Sequence, residues 1–106
     1  MNPDLARKLA ASGEKVYPAA IYDLGKRHAV RVPIIVVVEE SQDITLAKWP
    51  EVQVFAQGQS PAEAINALKQ EIITLFDDLV GSPAETLGSQ PTKWLRTVIA
   101  VIKTRA

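Results

Sequence analysis

The segment Ser-Pro-Ala-Glu at positions 60–63 constrains the fold more than any other part of the chain. It combines a capping box, serine at the cap and glutamate three residues later, with proline at the first helical position. A helix must begin there. Apolar residues follow at alternating steps of three and four from Ile65 to Leu79, and Gly81 ends the pattern. The sequence therefore predicts an amphipathic helix over about 61–81.

Three short strands are predicted before this helix. They cover 30–38, 44–49 and 52–58, and Pro50 and Gly58 end the second and the third. Connections this short join antiparallel neighbours, so the three strands form a meander.

The first strand has an unusual pattern. Alternate positions place apolar side chains on one face: Val30, Val32, Ile34, Val36 and Val38. The opposite face is also apolar in its second half, at Ile35 and Val37, which predicts cover on both sides, by a helix and by another segment or subunit. Pro33 lacks a backbone N–H and marks either an edge or the true start of the strand.

The two ends of the chain are harder to assign. A short helix is predicted from Asn2 to Gly13, whereas 14–28 has no clear pattern. At the other end 92–105 is predicted as a helix, but the β-branched run 98–102 leaves a fourth strand open. We therefore expect one α+β domain: a three-stranded antiparallel meander followed by an amphipathic helix on the sheet, with N- and C-terminal helical extensions. Its core is 30–81, its N-terminal extension 1–29 and its C-terminal helix about 91–105.

Charge is unevenly distributed although the net charge is zero. The sequence carries +3 over 1–33, −7 over 34–88 and +4 over 89–106. Such a chain either neutralises itself on folding or presents faces of opposite sign to different partners. Asp77 and Asp78 fall in the last turn of the predicted helix, where the helix dipole disfavours acids, so we expect a basic partner there, such as the C-terminal segment.

The chain has no cysteine, its start does not resemble a signal peptide, and its longest apolar run, 34–38, is too short to span a bilayer. We expect a cytoplasmic protein. No glycine-rich phosphate loop is present in the sequence, so no cofactor is predicted.

Residues with catalytic or metal-binding chemistry are few. His28 is the one histidine and is interpreted as an exposed or turn residue. Glu39, Glu40 and Asp43 cluster around a turn, which is compatible with a metal-dependent nuclease but is more simply turn solvation. No catalytic, cofactor-binding or metal-ligating residue is predicted.

Two tryptophans offer binding chemistry. Trp94 lies between Lys93 and Arg96, a grouping that can stack a base or lie across a phosphate backbone, although core packing is the favoured interpretation. Trp49, before Pro50, is likewise interpreted as the rim of the core.

The order of these elements resembles the HicB-like antitoxin family. The resemblance covers about 31–80 and depends on Trp-Pro-Glu-Val at 49–52 and on Gly-Gln-Ser-Pro-Ala-Glu-Ala at 58–64, directly after the meander. Gln53-Val54 stands where the family often has Gly-Cys. No helix-turn-helix or ribbon-helix-helix pattern follows residue 82.

The resemblance implies a truncated, ribonuclease-H-like fold without catalytic carboxylates, acting as the antitoxin that masks a small basic mRNA-cleaving toxin. The acidic middle segment suits such a partner. Possible partner contacts are Glu39, Glu40, Asp43, Trp49 and Trp94. The alternative hypothesis is a stand-alone RNA-binding or regulatory domain that uses the basic ends and Trp94. A homodimer or larger oligomer, joined by sheet edges or terminal helices, is also predicted.

Overall fold

The computed structural model describes residues 15–83 and 87–105, so the predicted N-terminal helix lies outside the described part. Six strands, a 3-10 turn and two helices follow in chain order: β1 (Lys15–Ile21), β2 (His28–Val30), β3 (Ile34–Glu40), β4 (Thr45–Trp49), the 3-10 turn Pro50–Val52, β5 (Val54–Gly58), α1 (Pro61–Gly81), α2 (Ser89–Val101) and β6 (Ile102–Thr104). The α+β fold class is confirmed.

A four-stranded antiparallel sheet in the order β1-β3-β4-β5 contains the predicted meander as β3, β4 and β5. The predicted meander lacks one strand of this sheet, because Lys15–Ile21 pairs along the whole of β3. The second, two-stranded sheet, formed by β2 and β6, was not predicted either. Pro18 is tolerated because β1 is an edge strand, where a missing N–H need not break a ladder.

The predicted first strand begins too early. Val30 belongs to β2, the backbone leaves strand geometry at 31–33, and Val32 is exposed. The strand proper starts at Ile34, directly after Pro33, and from there alternate residues of β3 are buried. The proline therefore marks a strand start.

Helix α1 covers one face of the sheet and begins where the capping box predicts. The Ser60 hydroxyl accepts a hydrogen bond from the Glu63 backbone N–H at 3.2 Å. Its buried stripe forms the centre of the core against the inward residues of the strands: Ala64, Leu68, Ile72, Phe76 and Leu79. A Cβ added at Gly58 would lie 2.6 Å from the Ala64 backbone nitrogen, so the glycine permits the helix to approach β5.

The C-terminal segment is both helix and strand. Helix α2 continues to Val101, and β6 then pairs antiparallel with β2, with Val30 opposite Ile102. Both earlier interpretations of 98–102 are thus partly correct: the helix keeps Val98 in the core, and the strand starts at Ile102. Neither helix in the described part of the chain is long and apolar enough to cross a membrane.

Candidate functional site

Within residues 15–83 and 87–105, no helix or strand covers the face of the four-stranded sheet opposite α1, and we call it the open face. The strand register places three rows of side chains on it: Val16, Glu39, Leu46 and Gln57; Pro18, Val37, Lys48 and Phe55; Ala20 and Ile35. Ile35 is 57% exposed and Phe55 65%. Contiguous apolar side chains on a surface of this kind are typical of a protein-protein contact.

One ion pair lies among these apolar residues. Lys48 Nζ is 3.0 Å from a carboxylate oxygen of Glu39, and both side chains are about one-third exposed. The pair joins β4 to β3 on the open face and leaves the face without net charge from these two groups. At this exposure such a pair contributes about 0–1 kcal/mol to stability. The pair therefore adds a polar group to an apolar face and contributes little to the stability of the fold.

The acidic residues of the first hairpin do not form one site. Glu39 points to the open face, whereas Glu40 belongs to the face of the sheet that carries α1 and bonds to Tyr17. Asp43 is exposed in the turn, which Ser41 closes through its backbone N–H and its hydroxyl, both donating to the Ile44 carbonyl. Among the described residues no group of three or more carboxylates and histidines is arranged to hold a metal ion.

The hydrogen bond from the Tyr17 hydroxyl to the Glu40 carboxylate raises the pKa of Tyr17 above its ordinary value. Partial desolvation and the negative charge of Glu40 act in the same direction. The two residues lie on neighbouring strands, β1 and β3, whose register pairs Lys15 with Glu40 and Tyr17 with Val38.

The two tryptophans have different surroundings. Trp49 is 2% exposed and lies in the core, which leaves it little surface for a partner. Trp94 packs half-buried against the core from α2 and lines a shallow groove with Glu51, Gln53 and Lys93. The structure therefore brings Trp94 to an acidic residue of the 3-10 turn as well as to its own basic neighbour.

His28 is not the exposed or turn residue that we predicted. It lies in β2 with 7% of its surface exposed, its ring packs edge-on against Phe76 at 5.5 Å, and its Nε2 lies 2.9 Å from Asp77 Oδ1. The partner of Asp77 is thus this histidine of β2, which follows β1 in the chain. Arg105 also reaches this region, since its Nε donates to the His28 carbonyl at 3.5 Å.

Gln53 has a backbone conformation that was not predicted from the sequence. It follows the 3-10 turn with a left-handed φ of 56°, and its backbone N–H donates to the Pro50 carbonyl at 3.1 Å. Glycine adopts this conformation without a steric penalty, whereas a residue with a side chain adopts it rarely.

No family model, curated protein sequence or solved structure matches the chain. The likeness to HicB-like antitoxins therefore stays a prediction based on the residues of 49–52 and 58–64.

Proposed function

We propose that this protein is a non-catalytic binding module, which masks a small basic protein in the manner of a HicB-like antitoxin. The observation that carries the proposal is the open face, where seven apolar side chains surround a single ion pair. Covering such a face with protein removes apolar surface from water, at about 25 cal/mol per Å² before the costs of association.

The charges beside the open face favour a basic partner. Asp43 lies in the turn before β4 and Glu51 in the turn after it, and both are exposed at opposite ends of the strand. These two carboxylates supply negative potential at the rim of an apolar surface, whereas the charge of Glu39 is balanced by Lys48. Complementary charge in this position raises the association rate and selects the partner.

When the toxin is absent, a second copy of the chain covers the open face. The sequence predicts a homodimer or larger oligomer, and a second copy on the open face would remove its exposed apolar side chains from water. Toxin and second copy then compete for the same surface.

The test uses the product of the adjacent reading frame, co-expressed with the chain. We expect a small basic protein to co-purify with the wild-type chain, and its toxicity to be suppressed. Ile35→Ser with Phe55→Ser should weaken the complex at least tenfold. The matched control is Val80→Ser with Ile99→Ser, two exposed apolar residues on the helices. Complex formation that is unchanged by the open-face variant, or the absence of any complex, would overturn the proposal.

A further inference from the structure

The two basic ends of the sequence meet in space in the ribbon formed by β2 and β6. The register pairs His28 with Thr104 and Ala29 with Lys103. Backbone bonds continue the pairing beyond both ends: the Arg105 N–H donates to the Arg27 carbonyl at 2.8 Å, and the Arg31 N–H to the Val101 carbonyl at 2.6 Å. Residues 27–31 and 101–105, which are far apart in the sequence, thus form one antiparallel unit.

The ribbon has one buried face and one basic face. His28 and Ile102 are buried and Val30 is half-buried on the side that packs against the core. Four exposed cations belong to the other side of the ribbon or flank its strands: Lys103 alternates with the buried Ile102, and three arginines directly adjoin the ends of β2 and β6. They are Arg27, Arg31, Lys103 and Arg105, which we call the basic ribbon face.

Among the described residues, no carboxylate forms an ion pair with a cation of this face. The segments 24–38 and 87–105 contain no acidic residue. Within the described part of the chain, the side-chain ion pairs are His28–Asp77 and Lys48–Glu39, neither of which includes a ribbon cation. Arg27 lies directly opposite Arg105, and like charges in such a cross-strand pair destabilise a sheet. The arrangement is therefore unfavourable for stability in the free protein and suits an anionic ligand.

We propose that the basic ribbon face binds the phosphate backbone of a nucleic acid, independently of base sequence. At a strand rise of about 3.3 Å per residue, β2 spans about 7 Å from its first to its last residue, and Arg27 and Arg31 lie beyond its two ends. The cations thus form an extended double row, which suits a chain of phosphates better than a single small anion. A two-stranded ribbon also fits the width of the major groove of duplex DNA.

This site differs from both earlier expectations. The RNA-binding hypothesis from the sequence placed the basic ends and Trp94 in one site. In the structure, the Trp94 side chain packs half-buried near Glu51 and lies outside the ribbon. The ribbon is on the helix side of the molecule, because His28 contacts Asp77 and Phe76 of α1, whereas the open face is on the other side of the sheet. The chain can therefore hold a protein and a nucleic acid at separate surfaces.

The experiment measures fluorescence anisotropy of labelled probes, a duplex DNA of about 20 base pairs and a single-stranded RNA of equal length, across a salt series. For four neutralised phosphates we expect a slope of log K against log salt of about −3.6 on the duplex and about −2.8 on the single strand. The probe that binds more tightly identifies the class of nucleic acid.

The test variant is Arg27→Gln with Arg31→Gln and Lys103→Gln. Arg105 is kept because its Nε bonds to the His28 carbonyl. We expect the slope of log K against log salt to become shallower by about one for each cation removed. The affinity at low salt should fall at least tenfold. The melting temperature should stay equal or rise, because like-charge repulsion is relieved, so the loss cannot be attributed to unfolding.

The matched control is Lys15→Gln with Lys69→Gln, which removes cations on β1 and α1. No binding to either probe at low salt would overturn the proposal, as would a slope that the ribbon variant leaves unchanged or that the control lowers equally. The ribbon variant should still bind the basic protein partner, and the open-face variant should still bind nucleic acid. The two proposals can therefore fail independently.

Discussion

His28 Nε2 lies 2.9 Å from Asp77 Oδ1, and this contact joins the ribbon to the last turns of α1. The histidine is buried whereas the aspartate is largely exposed, so removing the aspartate leaves a buried ring nitrogen without its partner. The cost of an unsatisfied buried polar group is about 1–3 kcal/mol.

We therefore expect Asp77→Ala to lower the free energy of unfolding by about 1–2 kcal/mol in urea denaturation. Asp77→Asn keeps an acceptor at the same place and should retain most of the stability. Asp78→Ala is the control, since it removes the same charge from the next residue without removing that contact. Equal losses at Asp77 and Asp78 would show that the charge near the helix end, and not the bond to His28, is responsible.

The close approach of Gly58 to α1 gives a second prediction. A methyl group there would lie 2.6 Å from the Ala64 nitrogen and 2.9 Å from the Glu63 carbonyl carbon, both backbone atoms that cannot turn aside. Gly58→Ala should cost about 1–3 kcal/mol of unfolding free energy. Gly81→Ala is the control because nothing lies within 4 Å of its added Cβ, so it should be neutral or stabilising. Equal unfolding free energies for the two variants would contradict the close packing of α1 against β5.

Tyr17 predicts how stability depends on alkaline pH. The bond to Glu40 raises its pKa, so the folded state holds the phenol proton more tightly than the unfolded state does. This contribution is fully present below the ordinary tyrosine pKa of about 10 and is lost as the pH rises through the raised pKa.

Unfolding free energy measured from about pH 9 upward should therefore decline more steeply for the wild-type chain than for Tyr17→Phe. Tyr22→Phe, which changes an exposed residue, is the control and should keep the wild-type decline. Parallel curves for the wild-type chain and Tyr17→Phe would contradict the prediction.

Local chemistry explains what could be predicted from the sequence. The start of α1 depends on atoms within four residues, Ser60 with Glu63, and the meander depends on short connections. In both cases the physical cause lies inside the window that a pattern covers.

The features that were missed depend on distant partners. Lys15–Ile21 is a strand because β3 pairs with it, although its own pattern is irregular and contains a proline. The burial of His28 depends on Asp77, 49 residues later, and the basic ribbon face on residues after 100. A charge map of the sequence showed the basic ends but could not show that they meet.

The open face gives the last prediction, on the chain without a partner. Exposed side chains add little to the stability of the monomer, so Ile35→Lys with Phe55→Lys should change the free energy of unfolding by about 0.5 kcal/mol or less per site. The same change places two buried charges in any contact made by that face.

We expect the wild-type chain to sediment as a dimer or larger at concentrations on the order of tens of micromolar. A dimer with a micromolar dissociation constant is almost fully formed at these concentrations. The variant should sediment as a monomer. Val80→Lys with Ile99→Lys, on the helices, is the matched control and should keep the wild-type state. A dimer that survives the open-face change would place the contact at a sheet edge or a terminal helix instead.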